Sequence, residues 1–108
     1  MLWAFAFAIT LVCELPIYAL LLRRPLRGVG RALAVGAALN LATHPVAWTL
    51  VVGGRAPYYA VEAGVWLAEA AMIFAAARAL GRRLPAHECL LVSLAANALS
   101  AGVGLLVL

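Results

Sequence analysis

The 108-residue sequence contains very little charge. Charged residues make up 11% of it, lysine and aspartate are absent, and the four acids are all glutamates. About a quarter of the residues of an ordinary soluble domain are charged. The low value therefore excludes a conventional water-soluble surface, and the apolar residues must face lipid.

The sequence also lacks the short motifs of common enzymes. It has no C-x-x-C, phosphate-binding loop, G-x-S-x-G or H-E-x-x-H pattern, and the Glu-x-x-His pairs of di-iron bundles are missing. The two cysteines, Cys13 and Cys89, fall at different predicted depths, so we expect small apolar packing groups and no disulfide. No catalytic residue, metal ion or other cofactor is predicted.

Long apolar segments fill nearly the whole chain, and 68% of its residues are hydrophobic. A membrane-spanning helix needs roughly 20 such residues. Four segments have that length, at about residues 2–22, 33–52, 57–80 and 85–107. Pro57 and Pro85 suit the first turn of the third and fourth. The sequence therefore predicts an all-α integral membrane four-helix bundle, with residues 1–108 as a single transmembrane domain.

The basic residues are all arginines, and they cluster at two of the three turns. The clusters are Arg23, Arg24, Arg27 and Arg31 at the first turn and Arg78, Arg82 and Arg83 at the third, with Arg55 alone at the middle turn. The positive-inside rule places the arginine-rich turns in the cytoplasm and both termini outside. This explains the net charge of +4 better than nucleic-acid binding does. The preference for Arg, Ala, Gly and Pro is typical of a GC-rich bacterial genome, so we expect a bacterial inner membrane.

The polar residues suggest an internal repeat of two helical hairpins, residues 1–54 and 55–108. With an offset of 55, Glu14 matches Glu69; after the turn the offset is 57, and Asn40 matches Asn97. Thr43 matches Ser100 in the same way. Two hairpins of equal orientation would form a parallel repeat about an axis along the membrane normal. Alternatively, any membrane hairpin has a basic turn and tolerates one polar residue near its middle.

Four polar side chains lie near the centres of the predicted segments, namely Glu14, Asn40, Glu69 and Asn97. An acid exposed to lipid at that depth costs about 2.5–3.5 kcal/mol on an insertion scale. We therefore predict that all four point inward, that each amide binds a glutamate, and that Thr43 and Ser100 lie one turn farther outward. The layer is predicted to be a proton or substrate site; a purely structural hydrogen-bonded layer is the alternative.

Three further residues extend this candidate site. His44 precedes Pro45 and would be a proton relay, a metal ligand or a packing group. Glu62, Trp66 and Glu69 are spaced to share one helix face, where two acids and an indole could hold an organic cation. Ordinary packing of Trp66 is the alternative.

Three classes of function fit these features. Proton- or cation-coupled transport is the first hypothesis, because acids lie at the bilayer midplane. A non-catalytic subunit or assembly factor of a membrane complex is the second, because no soluble domain is predicted. An intramembrane enzyme would have only Glu14, Glu69 and His44 as acid–base groups. Besides the lipid bilayer, we expect a homodimer or a larger membrane complex as the partner.

Overall fold

The computed structural model describes residues 2–107 and is built from helices. They are α1 (Leu2–Leu22), α2 (Val29–Val52), α3 (Tyr58–Ala79) and α4 (Ala86–Val107), with no strand in the described part of the chain. All four are long and apolar enough to cross a membrane. The predicted all-α architecture with four helices is confirmed.

The helices form a closed ring, since α1 packs against α2 and α4, and α3 packs against the same two neighbours. The bundle is 39 Å long, compared with a hydrocarbon core of about 30 Å. Its apolar core lies mainly between the polar layer and the arginine-rich end. The largest fully buried aliphatic side chains there are Leu22, Leu26 and Ile73, and the ring of Tyr18 packs with them.

Polarity is inverted relative to a soluble bundle. Among the residues whose burial is described, seven buried ones are polar, while many large apolar side chains point outward. Val12 is 73% exposed and Leu105 is 70% exposed. A water-soluble bundle would bury such residues, so this distribution suits a lipid environment.

Helix α2 begins at Val29, earlier than the predicted start at about residue 33. The turn before it is shorter than expected because Arg27 and Gly28 both have positive φ angles, 60° and 141°. These values reverse the chain quickly, and the Gly28 amide donates to the Arg23 carbonyl. The positive φ angle of Arg27 cannot be predicted from its residue type, whereas a positive φ angle is common for glycine.

The two turn prolines lie just outside the helices. Pro57 and Pro85 precede the first residues of α3 and α4. Their carbonyl oxygens accept hydrogen bonds from the amides of Val61 and Cys89, each at 3.1 Å. Each proline is therefore the capping residue before its helix and not a residue of the first turn.

Gly36 is expected to be required for the close approach of α1 and α2. An added Cβ would lie 2.8 Å from Tyr18 Cδ2 and 3.2 Å from Leu15 Cδ2. Because the Tyr18 hydroxyl is bound to Glu69, its ring cannot move away freely. We expect Gly36→Ala to lower the free energy of unfolding by about 1–3 kcal/mol, the usual cost of overpacking.

Gly64→Ala is the matched control, since nothing lies within 4 Å of a Cβ at that helical glycine. We expect it to stabilise the protein by about 0.5–1 kcal/mol through helix propensity. Unfolding midpoints followed by circular dichroism in detergent measure both variants. Equal stability of the two variants would contradict the close packing at Gly36.

Candidate functional site

Glu69 connects its own helix with the three others. Its Oε1 accepts hydrogen bonds from the Tyr18 hydroxyl on α1 at 2.8 Å and from Asn97 Nδ2 on α4 at 2.9 Å. Its Oε2 accepts from the Thr43 hydroxyl on α2 at 2.6 Å. The side chain is fully buried. Three donors from three helices therefore converge on one buried carboxyl group.

Glu14 has a much poorer set of partners. Its Oε2 accepts a hydrogen bond from the Ser100 hydroxyl at 2.5 Å. Its Oε1 is buried and has no hydrogen-bond partner among the described residues. A buried acceptor without a partner carries the full cost of its desolvation. Glu14 is therefore the polar group of this layer with most to gain from a proton or a ligand.

Glu69 and Glu14 each accept a hydrogen bond from a hydroxyl group, and each hydroxyl also lies near a backbone carbonyl oxygen that could accept its hydrogen. Thr43 Oγ1 is 3.0 Å from the Leu39 carbonyl oxygen, and Ser100 Oγ is 3.2 Å from that of Asn97. A hydroxyl has only one hydrogen to donate. It can satisfy both neighbours only when the carboxyl is protonated and donates to it. The layer therefore accommodates either protonation state by rotating one hydroxyl, without moving a helix.

The two amides behave differently. Asn97 Nδ2 donates to Glu69 and also to the Ser93 carbonyl oxygen at 2.9 Å. Asn40 Nδ2 donates to the Gly36 carbonyl oxygen, within its own helix. The prediction that each asparagine binds a glutamate holds for Asn97. For Asn40, the bond found at short distance is the local one to Gly36, although its amide also lies next to the Glu14 carboxyl.

A cavity of about 240 Å³ extends from this layer toward one end of the bundle. Polar lining residues at its inner end are Glu14, Asn40, Thr43, Asn97 and Ser100. It continues past Thr10 and Glu62 to Val51, Tyr58 and Gly104, near the end where the α2–α3 turn lies. Its volume equals that of several waters, at about 30 Å³ each.

The opposite half of the bundle is tightly packed. Between the layer and the arginine-rich turns lie Leu22, Ile73, Ala77 and Cys89, none more than 1% exposed. Glu69 is not among the residues that line the cavity, although Glu14 is. Among the described residues, the cavity thus reaches the polar layer from the end of the α2–α3 turn, and Glu14 is the acid of the layer that lines it.

His44 lies in an aromatic cluster. Its ring centroid is 5.0 Å from that of Phe7, 5.9 Å from Trp3 and 6.4 Å from Trp48. It also lines the cavity, and its buried Nδ1 has no hydrogen-bond partner among residues 2–107. His44 therefore packs against aromatic rings and also lines the cavity.

Glu62, Trp66 and Glu69 have different surroundings. The Trp66 indole Nε1 donates to the Leu90 carbonyl oxygen at 2.8 Å, and the Ser93 hydroxyl donates to the Trp66 carbonyl. Glu62 lines the cavity, whereas Trp66 does not. The indole N–H thus joins α3 to α4, and the cation site on this helix face stays a prediction.

Within residues 2–107, no group of three His, Cys, Asp or Glu side chains is arranged to hold a metal ion. The acids that approach each other are instead bound by hydroxyl and amide groups. Such neutral donors offer their hydrogens to the carboxylates.

Tyr18 is the member of the site that sequence reasoning missed. It is completely buried and donates to Glu69 across the bundle. Its spacing of four residues from Glu14, which itself follows Thr10 by four, indicates one shared helix face. A buried tyrosine needs a polar partner for its hydroxyl. Its place on the same helix face as Glu14 was therefore the sequence feature that could have indicated its role.

Comparisons with known proteins add no relative to this description. No known protein family, curated protein or solved structure matches the chain.

Proposed function

We propose that the chain is a multi-pass membrane protein that takes up protons or small cations at the Glu/Asn layer as part of coupled transport. The observation that carries this proposal is the position of Glu14. It ends a cavity reached from one side, and its Oε1 lacks a partner among the described residues. A carboxyl in that position can receive a proton or a cation from the cavity without disturbing the packed half.

The proposed internal repeat explains why Glu14 and Glu69 differ. Glu14 contacts Ser100, and Glu69 contacts Thr43, so the two pairs exchange under the offsets of the repeat. Tyr18 corresponds to Ile73, which has no donor. Under the proposed repeat the two acids would occupy similar positions. Glu14 has fewer donors because Ile73 replaces Tyr18 and because Asn40 donates to Gly36, whereas Asn97 donates to Glu69. We infer that Glu69 is the fixed acid and Glu14 the exchanging one.

We propose that the arginine-rich end faces the cytoplasm of a bacterial cell and that the cavity faces outward. The support is the excess of arginine at the first and third turns. Tyr59, 77% exposed near the opposite end, suits a membrane interface, where tyrosine is enriched. Because 240 Å³ is a small pathway for a carrier, a homodimer or larger membrane complex is the proposed assembly.

Glu14→Gln is expected to abolish proton uptake through the protein. Glutamine preserves size and hydrogen bonding but cannot exchange a proton at neutral pH. The measurement is the decay of an imposed pH gradient in proteoliposomes carrying a pH-sensitive dye, with valinomycin and potassium setting the membrane potential. A parallel set of vesicles with sodium or potassium gradients reports cation coupling.

The matched control is Glu88→Gln, which changes an exposed acid in the first turn of α4. It should leave the flux unchanged. Wild-type flux equal to that of protein-free vesicles in every gradient contradicts the proposal. Full flux in Glu14→Gln, combined with loss in Glu14→Leu, favours a structural layer and the alternative function as a non-catalytic subunit or assembly factor.

A further inference from the structure

A second concave region lies at the arginine-rich end, formed by the end of α3 and the α3–α4 turn. Arg78, Arg82 and Arg83 all line it, beside Phe74. We call it the arginine pocket. It is separate from the Glu14 cavity, whose lining residues are entirely different.

Two of the three guanidinium groups are held in place by neighbouring groups. Arg82 Nε donates to the carbonyl oxygen of Pro25 in the α1–α2 turn at 2.7 Å. The Arg78 guanidinium carbon is 5.6 Å from the centroid of the Phe74 ring, within cation–π range. Neither contact supplies a negative charge, and the Nε contact leaves the terminal N–H groups of Arg82 able to donate.

We propose that the arginine pocket binds the phosphate of an anionic phospholipid. Guanidinium groups donate paired hydrogen bonds to phosphate oxygens, and side chains already oriented lose less entropy on binding. The pocket lies at helix ends, where lipid headgroups lie if the helices span a bilayer. This proposal rests on that membrane placement.

A lipid fits better than free phosphate because apolar surface adjoins the pocket. Leu80 directly precedes Gly81 of the pocket and is 39% exposed, and the Phe74 ring lines the pocket itself. Acyl chains attached to a phosphate in the pocket can cover such side chains. A free phosphate ion would leave them uncovered.

The test is native mass spectrometry of the full chain in mild detergent with phosphatidylglycerol or phosphatidylcholine. We expect preferential retention of phosphatidylglycerol. Arg82→Gln and Arg83→Gln should each weaken its binding about fivefold, since a basic residue near an anionic lipid contributes about 1 kcal/mol. Arg83 is exposed, so its variant keeps the test valid if Arg82→Gln disturbs the turn.

Arg55→Gln is the matched control, because it removes the same charge at the middle turn on the opposite end. It should leave lipid binding unchanged, whereas Arg82→Lys should weaken it by removing the planar donor group. Equal loss in Arg55→Gln, or equal retention of phosphatidylcholine, overturns the proposal. Displacement of the lipid by millimolar inorganic phosphate would identify a free-phosphate site instead. Lipid retention is independent of proton flux, so the two proposals fail separately.

Discussion

Glu69→Leu should lower the free energy of unfolding by roughly 2–5 kcal/mol, because three interhelical hydrogen bonds at about 0.6–1.7 kcal/mol each disappear together. The donors left behind are the Tyr18 hydroxyl, the Thr43 hydroxyl and the Asn97 amide. Thr43 can still donate to the Leu39 carbonyl, but the buried Tyr18 hydroxyl loses its acceptor. The midpoint of unfolding in mixed micelles, followed by circular dichroism, measures the loss.

Glu69→Gln separates hydrogen bonding from charge. A glutamine oxygen can still accept from Tyr18 and Asn97, and its amide can donate to Thr43, which then donates to Leu39. We expect less than half of the destabilisation seen with leucine. If glutamine is as destabilising as leucine, the layer requires an ionised Glu69, and the account based on hydrogen bonds is wrong.

A cysteine introduced at Ala101 should react rapidly with a membrane-impermeant thiol reagent applied from outside the cell, and not with reagent applied to the cytoplasmic face. Ala101 lines the cavity, whereas natural Cys89 is 1% exposed in the packed half. Cys89 therefore serves as the internal control and should stay unlabelled. Cys13 is replaced by alanine to remove its partly exposed thiol.

The labelling pattern tests cavity access and membrane orientation independently. Labelling from the cytoplasmic face alone would agree with a cavity open at one end but would show that the proposed membrane orientation is reversed. Labelling of Ala101→Cys from both faces contradicts a sealed arginine-rich half. The absence of labelling from either face means that the cavity is closed in the membrane and contradicts Glu14 as an acid reached from outside.

The proton and lipid proposals concern opposite ends of the bundle. Glu14 is reached through the cavity near the α2–α3 turn, whereas the arginine pocket is formed at the α3–α4 turn. A lipid held by Arg82 would also stabilise the contact of that turn with Pro25. The packed half between them would then remain closed while Glu14 exchanges its proton.

Helix number, approximate spans and the depth of the polar residues could be predicted from sequence alone. Apolar length is a local property, and depth follows from counting residues at about 1.5 Å each. The exception was the start of α2, where a positive φ angle at Arg27 shortened the turn. Residue type does not determine such an angle unless the residue is glycine.

The partners within the polar layer were decided by the tertiary structure. Helix rotation about the bundle axis brings Tyr18 to Glu69, joins Trp66 to Leu90, and leaves Asn40 bound to Gly36 in its own helix. Residues at one depth can face any of several neighbours, and the close approach at Gly36 sets how α1 meets α2. The sequence by itself determined which polar groups share a level in the bundle. Only packing determined that Tyr18, Thr43 and Asn97 would all donate to Glu69, because that depends on side-chain direction across four helices.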